Sequence, residues 1–433
     1  MFDKVKIIKL YIGDLHLGEG ADSPNEDFKY HPPGVRMDDT QNDYVLDIIF
    51  ADFIDWVLAN TGHCPEVRLH PNGDTFDFSA IGLPGKGLPF PYEEDAIAKL
   101  KIIMAAHPIF FDALAKFCSA GNTRLKFFVG NHDFQLNWPS IQKMLTERIS
   151  PQNPEKISFL HEEYDHGTYT RHGEDEPHTK INHAKPIITA MEIAKLPEII
   201  KTGKINSALR DVLDVSMGHY LNADLMYNLK KYNYLIGRMH VHDFVWIDGV
   251  KRIFFKSWFR SRWFFFYGAY YLLRTFYRYA FRVKFWHIKM KLGLMKILRV
   301  LYWTFTGVLS GHTPKDSAIK ILHKQEDVDC VLYSHEHRYA SEVLEINGQT
   351  KTYINTGTWT PQFKEKQTKE PAPWKRLRWL QKSLLILRNL FTGRDVELMW
   401  RCPVGVETID DCGNVSRQLA EWDKDKKTLK ELS

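Results

Sequence analysis

Apolar residues along this chain fall into short runs, and most runs stop at a turn carrying Asp, Asn or His. Val5 to Ile12 reads as a buried strand ending at Asp14. Glu66 to His70 reads as a second strand ahead of Asp74, and Leu125 to Val129 as a third ahead of Asn131 and His132. Gly167 to Arg171 leads into His172, and Val328 to Tyr333 into His335 and His337. Lys351 to Asn355 is a following strand that ends in Thr356-Gly357-Thr358-Trp359. Between these runs the period becomes helical. Asn42 to Ala59 places Val45, Ile48, Ile49, Phe53, Trp56 and Val57 on one face, and Glu93 to Cys118 predicts one long amphipathic helix. Residues 21–40 and Ile81 to Pro91, rich in turn-forming residues, predict loops. A strand, a polar residue at its carboxyl end, then loop and helix is the order by which open α/β folds place sites outside strand termini.

Five of those turns share a chemistry. They are Gly13-Asp14-Leu15-His16, Gly73-Asp74-Thr75-Phe76-Asp77, Gly130-Asn131-His132-Asp133, Arg171-His172-Gly173 and Ser334-His335-Glu336-His337. Any one alone is weak, since Asp-x-His is common. All five in this order resemble the calcineurin-like metallophosphoesterase superfamily, whose motifs run D-x-H, G-D-x-x-D, G-N-H-D/E, H and G-H-x-H. The resemblance covers about residues 5–180 and 320–360. It implies an α/β (α+β) fold, a two-sheet sandwich flanked by helices, with two divalent cations held by Asp, Asn and His.

By that resemblance one cation takes Asp14, His16, Asp74 and His337, and the other takes Asp74, Asn131, His172 and His335. Asp74 would bridge them. Mixed Asp, Asn and His ligands accept Mn2+, which is the first expectation, and also Fe, Zn2+ or Mg2+. Such a pair lowers the pKa of a shared water and neutralises charge on phosphate oxygens. His132 would not be a ligand; it would meet the leaving oxygen, with Asp77 orienting it. For the fourth motif His166-Gly167 is a rival, and the β-type run Thr168-Tyr169-Thr170 favours His172. The i,i+2 pairs Asp14/His16 and His335/His337 are expected at strand ends, where alternation sends both side chains to one side. Ser334 stands where the family has Gly, a small-for-small departure.

Within the superfamily, Phe78-Ser79 after Asp77 and Asp133 in the third motif argue against a protein phosphatase. The Asp-Leu-His-Leu-Gly start and the aromatic Phe76 look more like the bacterial UDP-2,3-diacylglucosamine pyrophosphatases. Those enzymes usually carry Arg where this chain has His132, a departure from their pattern at the substrate-facing position.

At 433 residues the length allows two or three domains, but ligands at 14, 74, 131, 172 and 337 must converge. The expected division is a catalytic domain over 1–184 and 316–360, an inserted helical lobe over 185–315, and a C-terminal stretch over 361–433. That last stretch would hold a basic helix over Trp374 to Arg394, a hairpin turning at Cys412-Gly413-Asn414, and a frayed tail after Trp422. Net charge is only +5, yet no acidic residue lies between Asp248 and Asp316. There Trp263, Trp286 and many other aromatics interleave with Arg274, Arg278 and Arg282, which a helix would stack on one face. Like charges at that spacing disfavour an isolated helix and point to an anionic surface nearby. Charges interrupt every window long enough for a membrane span, so an interfacial helix on anionic headgroups is the leading expectation. A nucleic-acid clamp and a plain helical cap are the alternatives.

The five cysteines include no C-x-x-C, so a reducing compartment is the default. Met1 to Lys6 runs straight into the first strand without a signal-peptide pattern. The expectation is a cytoplasmic hydrolase, peripheral at a membrane, acting on a phosphorylated substrate that could carry a lipid. The alternatives are a nuclease or phosphodiesterase of the same superfamily acting on nucleic acid, and a non-catalytic binding module retaining the fold.

Overall fold

β1 (Val5–Ile12) has both faces covered, and the architecture is built around it. The computed structural model describes residues 5–19, 43–78, 81, 83, 93–174, 314–360, 362–365 and 396–432. The expected loop at 21–40, the lobe with Trp263, Arg274, Arg278, Arg282 and Trp286, and the basic helix at 374–394 lie outside the described residues.

The chain is mixed α/β. After β1 come α1 (Asp43–Thr61), β2 (Glu66–Pro71), α2 (Glu93–Ala106), α3 (Pro108–Ser119), β3 (Thr123–Phe128), α4 (Pro139–Ile149), β4 (Ile157–Leu160), β5 (Glu162–Asp165) and β6 (Thr168–Arg171). Then follow α5 (Pro314–Lys324), β7 (Cys330–Tyr333), β8 (Tyr339–Ile346), β9 (Gln349–Thr356), β10 (Gln362–Glu365), β11 (Val396–Met399), β12 (Pro403–Asp410), β13 (Val415–Asp423) and β14 (Thr428–Glu431). One mixed sheet has the order β14-β13-β12-β1-β2-β3-β4, a second the order β5-β6-β7-β9-β8, and β10 pairs with β11 alone.

Strand alternation sorts the side chains into layers. Ile8, Leu10 and Ile12 of β1 face a core shared with α1 to α4, while Tyr11 faces Cys330, Leu332 and Ile354 of the second sheet. On that sheet's far side Val331, Tyr333 and Tyr353 pack against Ala318 and Leu322 of α5. The order of layers is helices, seven-stranded sheet, five-stranded sheet, helix.

The layer between the sheets is partly ionic. Lys9 of β1, fully buried, lies 2.5 Å from Glu407 of β12 and 3.0 Å from Asp165 of β5. Arg417 of β13 donates to Glu407 at 3.1 Å and to Thr168 of β6 at 2.7 Å. Arg68 of β2 donates to Asp165 at 2.6 Å. Burial pushes the Asp165 carboxyl up, but Lys9, His166 and Arg68 outweigh it and hold it at about 2. A depressed carboxylate stabilises the fold above its unfolded value of about 3.9 and loses that contribution as pH falls towards its folded value. Wild type should therefore lose more stability than Asp165→Asn in urea titrations between about pH 4 and pH 2. Parallel acid profiles for the two proteins would contradict this.

Several sequence expectations change. The helix expected over Glu93 to Cys118 is two helices bent by 89° at His107, because Pro108 lacks an N–H and crowds the preceding turn. His107 sits on Asp47 of α1 at 2.9 Å, which ties the break to the core. The first sheet draws strands from beyond residue 360: β12 pairs antiparallel with β1 over Val5–Ile12, and β13 and β14 extend the sheet from β12. The hairpin at 411–414 is present between β12 and β13, but the stretch after Trp422 is not frayed, since β14 pairs with β13. On α1, Ile49, Phe53 and Val57 are buried as expected, whereas Ile48 is exposed. Among the described residues no single helix is long and apolar enough to cross a membrane.

Candidate metal centre

β1, β2, β3 and β4 run parallel, as do β6, β7 and β9, so their carboxyl ends bring turns to a common rim. The turns after β1 and β2 are laced together by main-chain bonds, Leu15 N and His16 N to the Asp74 carbonyl at 3.1 and 2.9 Å, and Asp77 N to the Leu17 carbonyl at 2.8 Å. The turn after β9 reaches back to the first: Thr358 Oγ1 and Trp359 N donate to the Asp14 carbonyl at 2.7 and 3.1 Å. The approach is so close that a Cβ on Gly13 would meet the Gly357 carbonyl oxygen at 1.9 Å. Likewise a Cβ on Gly130 would fall 2.2 Å from Asp74 Oδ1. These two glycines are needed for approach, not flexibility.

All seven residues assigned to cations from sequence come together. His337 Nε2 lies 2.9 Å from Asp14 Oδ2 and 3.2 Å from His16 Nε2. His16 Nε2 is 3.9 Å from both Asp14 and Asp74. On the other side His172 Nε2 lies 3.1 Å from Asp74 Oδ2, 3.1 Å from Asn131 Oδ1 and 3.2 Å from His335 Nδ1. Asp14-His16-His337 and Asp74-His172-His335 each offer ligand atoms within 4.8 Å of one another, as does His16-Asp74-His132. His166, the rival for the fourth motif, occupies the turn between β5 and β6 against Asp165.

The backbone reason for convergence differs from the expectation. His16, Asp74, His335 and His337 have φ of 46°, 49°, 67° and 56°, so His16 of the first i,i+2 pair and both members of the second take left-handed backbone past the strand ends. Strand alternation does not aim them. Non-glycine residues there cost on the order of 1 kcal/mol each and persist where the surroundings hold them, a pattern concentrated at functional sites.

The electrostatics fit a cation. Asp14 and Asp74 are almost wholly buried. Among the described residues no Lys or Arg forms an ion pair with either carboxylate; histidines and main-chain amides surround them. Burial pushes the Asp14 carboxyl up, but His16, His172 and His337 outweigh it and hold it well below the ordinary range; Asp74 behaves likewise beside His172 and His132. Burial depresses His172, and Asp74 and Asp14 reverse that and raise it well above its ordinary value. Two desolvated carboxylates and a cluster of imidazole nitrogens form a donor set that a divalent cation satisfies. Buried His and Asp groups of this protein can therefore hold a metal ion.

His132 and Asp77 stand beside this cluster. His132 N donates to Asp74 Oδ1 at 2.7 Å, and its ring Nδ1–H donates to Asp77 Oδ1 at 3.0 Å. Burial opposes protonation of His132, but Asp74 and Asp77 prevail and lift it to about 9.

One residue of the third motif has a part the sequence did not disclose. Asp133, fully buried, accepts from Gly130 N at 2.7 Å, Thr75 N at 2.8 Å and Phe76 N at 3.3 Å. It locks the turn of Asp74 to that of Asn131. Burial and nearby Asp74 raise its carboxyl to about 7. A buried acid directly after Asn-His was the only signal available.

No protein-family model matches the chain, and no curated protein matches it in sequence. Fold and site together define an α/β protein of two mixed sheets with a buried His/Asp centre able to hold a metal ion.

Proposed function

We propose that this protein is a metal-dependent phosphoesterase of the calcineurin-like type, hydrolysing a phosphoester or pyrophosphate bond with two divalent cations, Mn2+ being the first candidate. The observation that carries the reading is the convergence of five motif turns, in family order, into two donor groups meeting at Asp74. The arrangement of two mixed sheets between helices is compatible with that superfamily's sandwich. When bound, such cations supply an activated water and offset charge on the phosphate oxygens.

The chain's own residues account for the rest. Asp14, His16, Asp74 and His337 would hold one cation, and Asp74, Asn131, His172 and His335 the other. Asp77 fixes the His132 ring through Nδ1, and Nε2 would meet the leaving oxygen. The His132 side chain keeps 16% of its exposure, so a substrate can reach it. Removing it as His132→Ala should lower turnover by about 10²–10⁴-fold while both cations stay bound. Loss of a cation in that variant would contradict its role.

The substrate reading rests on the Trp263–Trp286 region, whose aromatics and Arg274, Arg278 and Arg282 suit an anionic lipid surface. On this reading the enzyme works peripherally at a membrane on a lipid-linked phosphate. The test is Mn2+-supported hydrolysis of four substrates in parallel: a phosphomonoester, a bis-aryl phosphodiester, a nucleotide-diphosphate lipid and single-stranded DNA. Preferential cleavage of the lipid supports the full reading. Cleavage of DNA or the small diester alone would move the function to a nuclease or general diesterase. Bound Mn2+ with no cleavage at all would leave a binding module.

A further inference from the structure

Ser334 occupies the point where the two sheets meet beneath the centre. It follows β7 of the second sheet, and its Oγ lies 2.5 Å from the carbonyl of Asn72, which follows β2 of the first sheet. A carbonyl only accepts, so the Ser334 hydroxyl donates to it. The Nδ1–H of His172, at the end of β6, donates to the same Asn72 carbonyl at 2.9 Å and approaches Ser334 Oγ at 3.2 Å. Ser334 is itself held from the other side, where Asn355 of β9 donates to its carbonyl at 2.7 Å and Ser334 N donates to the His172 carbonyl at 2.9 Å. Ser334, Asn72 and His172 are all fully buried.

We infer that Ser334 is a positioning residue for one of the two cation positions, the one formed by Asp74, Asn131, His172 and His335. The inference rests on the metal reading above. A proton fixed on Nδ1 of His172 leaves the Nε2 lone pair for a cation that Asp74 Oδ2 and Asn131 Oδ1, each 3.1 Å away, would share. The Ser334 hydroxyl does two things to that geometry. It accepts a second branch of the Nδ1–H bond, which restrains rotation of the ring. It also pins the Asn72 carbonyl, two residues before Asp74, to the turn that carries His335. The hydroxyl thereby sets the spacing between ligands from different sheets. The Asp14, His16 and His337 group has no bond to Ser334 Oγ. A glycine at 334 would keep the turn and lose both bonds. Partners of this kind, bonded to a ligand's other ring nitrogen, change metal affinity by about 10–100-fold when removed.

The experiment is Mn2+ binding to the full chain by calorimetry, with wild type, Ser334→Gly, Ser334→Ala, Asn131→Ala and His337→Ala compared. Ser334→Gly and Ser334→Ala should weaken one step of a two-step isotherm by about 10–100-fold and leave the other unchanged. The weakened step should be the one that Asn131→Ala removes, and adding Ser334→Gly to Asn131→Ala should change nothing further. In the His337→Ala background the Ser334→Gly loss should persist in full. In metal-free protein the ¹⁵N resonance of His172 Nδ1 should move in Ser334→Gly while those of His16 stay, a signature that general loosening does not produce. An unchanged isotherm, or equal weakening of both steps, overturns the inference alone. A wild-type chain that takes up no Mn2+ overturns the metal reading and this inference with it.

Discussion

Asp74→Asn should remove cation binding and hydrolysis together, with turnover down by at least about 10³-fold, or about 4 kcal/mol of transition-state stabilisation. Asp74 is the one residue shared between the two sides. Its Oδ2 lies 3.1 Å from His172 Nε2 and 3.9 Å from His16 Nε2, while Oδ1 takes the His132 amide. It also belongs to two of the three groups able to hold a metal ion. Asparagine is the cleaner replacement because it tolerates the φ of 49° at this position, as most side chains do not. The variant tests charge and ligand strength without forcing the turn to move. Metal content after dialysis and Mn2+-dependent hydrolysis are the two readouts. A variant that keeps two cations and its activity would show that the two groups do not depend on a common carboxylate.

The second large effect is on stability. Lys9→Ala should destabilise the fold by about 3–5 kcal/mol, the cost of breaking a buried ion pair by deleting one partner. Lys9 is wholly enclosed between the sheets, and its loss leaves Glu407, itself 1% exposed, with Arg417 and Thr168 but without its nearest cation. The cause would be the uncompensated carboxylate more than the lost methylenes. Lys9→Met combined with Glu407→Gln should therefore recover much of the loss, because both charges leave together. Urea denaturation of the single and double variants measures it. A double variant as unstable as the sum of the singles would place the cost in packing instead.

These two residues mark the boundary between local and tertiary information. Asp74 could be read from the chain because its signal is local: a short strand, a glycine that permits a sharp turn, then an acid. The same holds for Asp14, His16, Asn131, His335 and His337, each directly after an apolar run. His172 needed a choice against His166, and the tertiary structure separates them: His172 is wholly buried against Asp74, while His166 sits in the β5–β6 turn.

Lys9 was not legible. A lone lysine inside a strand reads as a solvent-facing position, and only the arrival of β5 and β12 from far along the chain encloses it. The pairing of β12 with β1 is decided the same way, since antiparallel partners hundreds of residues apart leave no mark in local periodicity. The left-handed turns at His16, Asp74, His335 and His337 are strained and cannot be read from residue type, because they exist where neighbouring turns hold them. The sequence by itself, through its motif resemblance, pointed to which side chains would gather and to turns at strand ends as what would deliver them; that those strands run parallel came from the fold. The tertiary structure alone decided how they are aimed, and that a hydroxyl at Ser334 joins the two sheets beneath them. Ligand identity is written in short motifs, whereas aim and spacing come from contacts between segments that meet only when both sheets have closed.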